Sequence, residues 1–295
     1  MTCKLCKSKY IEATYKGLIR DGGLGKYTNE PVTMWKCNDC GVIWHESLIN
    51  NLNEYYESQE YRDSLEGGSE DTLFYKLHDK ETLNKFQYTG TEIFRGKIIS
   101  DIGCGCGAFL DFLQGVVKNI VAIEPSEIYR QIMRKKGFET YAYIEEAKSN
   151  WSNKIDIITS FDVIEHVEEP KDFMKDIYDL LSDGGQAIIG TPTEAPIMRK
   201  LLGEIYEKKL LFSTQHIWIF SEKNLRKMAI EIGFKKVEIK YFQRYGIGNL
   251  LGWLREKEPC SDIEDMAIFQ TLDAVWKSEC SENEIADYIV LYVHK

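Results

Sequence analysis

The densest cluster of chemistry-bearing residues in the chain is one turn, Asp101-Ile102-Gly103-Cys104-Gly105-Cys106-Gly107. A strand-like apolar run, 97–100, leads into it, and an apolar helical stretch, 108–113, follows directly. Glycines at alternate positions let the backbone turn tightly and let a ligand approach where a Cβ would stand in the way. Read as Gly103, Gly105 and Ala108, the same turn also fits the dinucleotide fingerprint. Two carboxylates argue for a different ligand. Asp101 would sit unfavourably beside a pyrophosphate but suits the ammonium of a methionine moiety. Glu124, at the end of the next strand-like run and followed by Pro125-Ser126, is placed to take both ribose hydroxyls of an adenosine. A tight turn with no ligand, and a dehydrogenase, are the competing readings.

A second cluster lies at the N-terminus. Cys3-x-x-Cys6 and Cys37-x-x-Cys40 form two knuckle-type pairs. Thiolates two residues apart can reach one metal, and two pairs complete a tetrahedral Zn²⁺ site of the closed, structural kind. Gly41 suits the unusual backbone angle of a knuckle. A redox pair or free thiols is the alternative. Cys104, Cys106, Cys260 and Cys280 have no metal-ligand spacing and read as ordinary thiols.

Alternating elements must position these groups. Strand-length apolar runs at 97–102, 119–123, 155–161 and 186–190 are separated by helical stretches. The helix at 126–137 has Ser126 as candidate N-cap, Ile128, Tyr129, Ile132 and Met133 on one face, and Gly137 as stop. Those at 171–181 and 221–233 repeat the logic, the first stopping at Asp183-Gly184-Gly185. Such alternation predicts βαβ units, a parallel sheet, and ligands beyond the C-terminal ends of its strands. Residues 1–50 show no helical period and form the zinc module. Residues 51–95 read as helices connecting or covering a site, broken at Glu66-Gly67-Gly68-Ser69. The remaining domain, 96–295, carries a helical insertion near 246–282, with helices at 249–255 and 262–276, and ends in a strand at 288–293.

The bulk composition narrows the setting. Of 295 residues 43% are hydrophobic and 28% charged, an ordinary globular balance. No apolar run approaches the roughly 18–20 residues of a membrane helix, and no secretory signal is present, so a cytoplasmic location is expected. Eight cysteines fit a reducing compartment. A formal net charge of −10 argues against nucleic acid as partner.

The motifs taken in order resemble class I methyltransferases, which use S-adenosyl-L-methionine. Asp101-x-Gly103-x-Gly105-x-Gly107 resembles the family's first motif, and Glu124 matches its ribose-binding acid. Phe161-Asp162-Val163-Ile164-Glu165-His166-Val167 resembles its fourth, and Leu180-Leu181-Ser182-Asp183-Gly184-Gly185 the turn before its fifth strand. The resemblance implies a seven-stranded, mainly parallel Rossmann-like α/β sheet. It implies cofactor contacts from Asp101, Gly103, Gly105, Gly107, Glu124, Pro125, Phe161 and Asp162, with residues near 143–145 bordering the adenine. The zinc module, connector and catalytic domain together resemble methyltransferases of sugar-nucleotide and surface-polysaccharide pathways. Trp35-Lys36-Cys37, Glu54-Tyr55-Tyr56, Gln215-His216-Ile217-Trp218 and Arg244-Tyr245-Gly246 carry that likeness.

Methyl transfer to a hydroxyl calls for in-line positioning and for a base or a metal that takes the hydroxyl's proton. His166, after the fourth strand, and His216, in a segment expected to run over the site, are the candidate bases, with Glu165 beside the first. Asp162-x-x-Glu165-His166 also resembles the cation-binding motif of ubiquinone-pathway and small-RNA methyltransferases, with His216 as a further ligand for Mg²⁺, Mn²⁺ or Fe²⁺. His45, His78 and His294 read as structural, surface or uninformative. Tyr206, Trp218, Tyr245 and Trp253 line an acceptor pocket or pack a core. The expected acceptor is a small polar molecule, foremost a nucleotide-linked sugar methylated on oxygen. C-methylation of a keto-sugar, RNA methylation aided by the zinc module, and cofactor binding without catalysis are the alternatives. Oligomeric state is not encoded in any of these motifs.

Overall fold

The computed structural model describes residues 1–58, 71–259 and 267–295. The described chain forms two compact units. One comprises Met1–Leu48, Thr191–Leu225 and Ile239–Val290. The other comprises Ile49–Gly190, Arg226–Glu238 and Leu291–Lys295.

The first unit holds a small sheet of β1 (Ile11–Gly17), β2 (Val32–Cys37), β3 (Ile43–Trp44) and β9 (Trp218–Ile219), in that order and antiparallel throughout. The absence of a helical period over the first fifty residues is thereby explained: the segment is strand and turn. Its core joins Met34 and Ile43 of the sheet to Phe212, Tyr206, Leu250 and Trp253.

The large sheet has seven strands in the order β10-β11-β8-β7-β4-β5-β6, namely Lys236–Phe242, Tyr288–His294, Leu181–Pro192, Ile155–Phe161, Ile98–Ile102, Asn119–Ile123 and Glu139–Tyr141. The pairs β4/β5, β5/β6, β4/β7 and β7/β8 are parallel. This is the expected α/β class. β4 is buried along nearly all its length, as a strand covered on both faces must be. The chain runs outward from β4 through β5 to β6, then returns to the other side of β4 as β7. That reversal makes a crevice beyond the C-terminal ends of β4 and β7, where α/β sheets bind ligands.

Helices α1 (Leu52–Glu57), α2 (Asp71–Thr89), α3 (Ala108–Leu113), α4 (Glu127–Lys135), α5 (Ile144–Trp151) and α6 (Pro170–Leu180) belong to the second unit. Phe109, Leu110 and Leu113 of α3 and Met133 of α4 pack on Ile99, Ile120 and Ala122 of the strands. Gly67 and Tyr61, which the sequence places in the connector, fall outside the described residues, as does Cys260.

Three local expectations are corrected. Ser126 occupies the N-cap position of α4, but its side chain makes no cap bond. Its backbone N–H, a separate group, goes to Glu124 Oε1 at 2.9 Å, so the residue serves this turn through its main chain. The Asp183-Gly184-Gly185 stop does not separate helix from strand: α6 ends at Leu180, and Leu181 already pairs with Ile155. Pairing resumes at Gln186 opposite Ile157, so the glycines form an irregularity within β8. The helix expected at 262–276 runs in its described part from Ala267 to Glu282. Among the described residues no helix is long and apolar enough to cross a membrane.

Candidate active site

β4 delivers Asp101 and Ile102 to the glycine turn. Gly103 (φ 74°) donates its N–H to Ile123 O at 2.8 Å, which ties the turn to β5. A Cβ on Gly103 would stand 2.3 Å from Val163 Cγ2, and one on Gly105 (φ 56°) 2.4 Å from Phe74 Cζ. Both positions therefore require glycine on backbone and on space. Both line a cleft of about 910 Å³, which lies wholly in the second unit. Gly107 does not line it. It starts α3 and packs toward Met133 and Phe138, so its role is to begin the helix.

Glu124 lines the cleft with Pro125 and is 2% exposed. Its Oε2 accepts from Gly105 N at 3.0 Å and its Oε1 from Ser126 N. Two backbone donors thus fix a buried carboxylate against the glycine turn, an arrangement that stabilises the charge. Asp101 stands behind the wall rather than on it and is 1% exposed. Its Oδ1 accepts from Thr159 Oγ1 at 2.6 Å, while Oδ2 is buried without a hydrogen-bond partner. Burial pushes this carboxyl above its usual range, opposed by the charge of Lys85 and the Thr159 bond. An acceptor oxygen buried in this way has capacity for a cationic donor.

The sequence reading missed Lys85. It comes from α2, and its Nζ lies 5.6 Å from the Phe161 ring centroid and 5.7 Å from that of Phe109. α2 also brings Phe74 and His78 to the cleft. No spacing signal marks these residues, because the hydrophobic pattern of this helix is weakly periodic and its partners are distant in sequence.

The expected adenine side, near 143–145, does line the cleft, with Ala142 and Glu146 flanking it. Tyr143 donates to Glu57 Oε1 at 2.6 Å. Burial and that carboxylate push the Tyr143 hydroxyl well up. On the other side β7 ends in Phe161, and Asp162 (φ 57°) donates its N–H to Gly190 O at 3.0 Å. Phe161, Asp162 and His166 line the cleft. Asp162 is exposed; Glu165 is fully buried. His166 Nε2 stands 3.9 Å from Glu165 Oε1, and His166 Nδ1 is 2.9 Å from the hydroxyl of Tyr56 in α1. Tyr56 was singled out in the sequence only as part of a family-like stretch, not for chemistry.

His216 belongs to the first unit, where its N–H reaches Ser213 Oγ at 3.2 Å. Tyr206 and Trp253 pack edge to face there, with centroids 5.6 Å apart, inside the core. Trp218 is buried and Tyr245 is 45% exposed. Core packing is thus the fate of Tyr206 and Trp253.

In the same unit the four expected zinc ligands converge. Cys3 and Cys40 Sγ are 3.7 Å apart, Cys6 and Cys37 Sγ 3.5 Å, and all four sulfurs lie within 4.8 Å of one another. Zn–S bonds of about 2.3 Å in a tetrahedron place sulfurs about 3.8 Å apart, so the cluster has the right size. Gly41, at φ 78°, follows the second knuckle and donates to Cys37 O. Burial pushes the Cys40 thiol far up, a cost that a bound cation would remove. Cys104, Cys106 and Cys280 are buried, and burial raises the Cys104 and Cys280 thiols, the latter to about 11.

Comparisons with known proteins bear on the family and the fold. Residues 76–239, more than half the chain, match the family described as "Methyltransferase domain". The mitochondrial ubiquinone biosynthesis O-methyltransferase of Schizosaccharomyces pombe is 24% identical over 211 residues, spanning 67% of this chain and 69% of that protein. The ubiquinone biosynthesis O-methyltransferase of Aromatoleum aromaticum is 25% identical over 171 residues, 52% of this chain and 73% of its own length. Among solved structures, a SAM-dependent methyltransferase from Thermotoga maritima covers 76% of this chain and 93% of its own at TM-score 0.50 and 20% identity. One from Archaeoglobus fulgidus covers 76% and 99%, at TM-score 0.50 and 16% identity. These two carry the fold alone. With the family match over residues 76–239, the chain belongs to the methyltransferase-domain family and is an S-adenosylmethionine-dependent methyltransferase.

Proposed function

We propose that the protein methylates a hydroxyl of a small polar acceptor. The observation that carries this is the pairing, in one cleft, of a glycine turn closed by Glu124 with an imidazole, His166, backed by the buried Glu165. S-adenosylmethionine supplies the electrophilic sulfonium methyl. Glu124, with Pro125 beside it, would hold the ribose, Gly103 and Gly105 would admit the methionine end, and Asp101, through its buried Oδ2, would attract the ammonium. Phe161 and Asp162 would border the methionine end, and Gly107 would act by shaping the turn. His166 would accept the hydroxyl's proton and Glu165 would stabilise the imidazolium. The O-methyltransferase names of the relatives support oxygen as the methylated atom.

A nucleotide-linked sugar is the finer reading of the acceptor and rests on the family-like stretches around Tyr56, His216 and Arg244. Glu145, Glu146, Glu168, Glu169 and Asp172 line the cleft, so a diphosphate would be repelled from that rim. A sugar or other hydroxylated ring would have to enter with its anionic part directed elsewhere. A second reading, a divalent cation held by Asp162, Glu165, His166 and His216, rests on the motif and on the carboxylate-imidazole pair at 3.9 Å. Full-rate turnover after chelation removes it. As a functional division we propose 1–50 as a zinc module on Cys3, Cys6, Cys37 and Cys40, 51–95 as a cover, and 96–295 as the catalytic domain, operating in the cytoplasm.

Calorimetric titration with S-adenosylmethionine and, in parallel, NAD tests the core of the reading. Micromolar binding of the first and none of the second is expected. Hydroxyl acceptors are then screened by release of S-adenosylhomocysteine. NAD binding in place of S-adenosylmethionine would overturn it.

A further inference from the structure

Helix α1 is short, yet it is fixed at both ends. The Asn51 side chain accepts from Glu54 N at 3.3 Å, and Ser58 Oγ donates to Tyr55 O at 2.6 Å. The rings of Tyr55 and Tyr56 meet edge to face, centroids 5.2 Å apart. Its last residue, Glu57, accepts from Tyr143 on the expected adenine side of the cleft. The adjacent residue, Tyr56, meets His166 on the other side, rings edge to face at 5.6 Å. Tyr56 is therefore positioned by the helix rather than resting on the histidine by chance.

The two ring nitrogens of His166 are distinct. Nε2 lies toward the Glu165 carboxylate, at 3.9 Å too far for a hydrogen bond, and the tautomer protonated there puts its N–H on the side of that carboxylate. In that tautomer Nδ1 is the basic nitrogen, and it is the one 2.9 Å from the Tyr56 hydroxyl. A substrate hydroxyl would in that tautomer meet a nitrogen that already receives the Tyr56 hydrogen bond. Tyr56 itself lines the cleft.

Resting on the O-methylation reading, we infer that Tyr56 is a catalytic residue that relays the acceptor's proton to His166. The acceptor O–H proton passes to the Tyr56 oxygen as the Tyr56 proton passes to His166 Nδ1. The acceptor oxygen forms its bond to the methyl carbon while the S–CH₃ bond breaks, its electron pair remaining on the sulfur of neutral S-adenosylhomocysteine. The proton ends on the imidazolium, whose Nε2–H faces the buried Glu165 carboxylate. Tyr56 is restored and no further reactant is needed. Charge balances: the sulfonium's positive charge becomes the imidazolium's.

The test uses the full chain with Tyr56→Phe, His166→Gln and the double variant. Histidine-selective ¹⁵N NMR needs no acceptor. In the wild type, His166 is expected as the Nε2–H tautomer with Nδ1 shifted by an accepted hydrogen bond, and Tyr56→Phe is expected to move that Nδ1 signal. Calorimetry should show S-adenosylmethionine affinity in Tyr56→Phe within threefold of wild type. With catechol as the probe hydroxyl, Tyr56→Phe and His166→Gln should each lower kcat by about 100-fold or more, and the double variant should be no slower than the worse single one, since a relay acts as a unit. An unmoved His166 signal in Tyr56→Phe, wild-type kcat in that variant, or losses that multiply in the double variant would each overturn the relay. Failure of the wild-type protein to bind S-adenosylmethionine would instead overturn the functional reading beneath it.

Discussion

The glycine turn and the cysteine knuckles are both short motifs read from spacing, but they are held in opposite ways. At the turn, specificity is carried by backbone: Gly103 and Gly105 sit at positive φ against Val163 and Phe74, and Glu124 is fixed by two main-chain N–H groups. At the knuckles it is carried by four side chains, whose sulfurs lie within 4.8 Å of each other. Backbone-held geometry persists without its ligand. Side-chain-held geometry with buried thiols depends on what neutralises it.

The largest expected effect sharpens that difference. Replacing Cys37 with Ser, or stripping metal with a strong chelator, should remove one zinc equivalent by metal analysis and unfold the sheet β1–β3, read as rapid proteolysis within 1–48. Structural zinc contributes on the order of 10–16 kcal/mol in isolated fingers, more than a small module has in reserve. Retained protease resistance after complete metal loss would place the knuckles in the same class as the turn.

Next in size is Glu124→Ala. Charge-assisted hydrogen bonds are worth roughly 1.5–3 kcal/mol each, so losing a carboxylate that takes the ribose should weaken S-adenosylmethionine binding by about 100-fold, with the fold intact by circular dichroism. An unchanged affinity would mean that Glu124 serves only to brace Gly105.

These effects involve what the sequence made visible. Parallel α/β order, the glycine turn, Glu124 and the cysteine pairs were legible because each is a local pattern with one physical solution. Tyr56, Lys85 and Phe74 were not. They reach the cleft from helices upstream of the motifs, and their partners lie up to 110 residues away. Asp101 stands out in the sequence as an acid entering the glycine turn, but spacing could not show that it sits behind the wall with one oxygen already on Thr159. Likewise Ser126 has the right type for a cap, yet its side chain makes no cap bond and only its amide is used, by Glu124.

Asp101→Asn tests that burial. Its carboxyl is raised above the ordinary 3.8 because burial penalises the charge. Between the unfolded and folded values the native state binds more protons, so this group's contribution to stability falls as pH rises through that window and stays low at neutral pH. The variant should therefore raise the neutral-pH melting temperature of the cofactor-free protein by about 2–4 °C per kcal/mol relieved, while weakening S-adenosylmethionine about tenfold. A lower melting temperature with unchanged affinity would make Asp101 a structural anchor of Thr159.

The smallest effect concerns His45, fully buried in the first unit, and here two influences oppose each other. Its Nδ1 lies 2.7 Å from Glu46 O and its Nε2 3.1 Å from Ser213 O. Two carbonyls suit a ring with both nitrogens protonated. Burial disfavours that charge and prevails, leaving the pKa below the ordinary 6.5. The unfolded chain then binds the extra proton. Stability from His45 is present above pH 6.5 and is lost as pH falls toward the lowered native value, at no more than about 1.4 kcal/mol per pH unit. Chemical denaturation of wild type and His45→Gln across pH 5–8 should show a steeper acid decline in the wild type. A wild-type curve that gains stability on acidification relative to the variant would mean that the carbonyl pair outweighs desolvation, and that side-chain-held geometry in this unit extends beyond the cysteines.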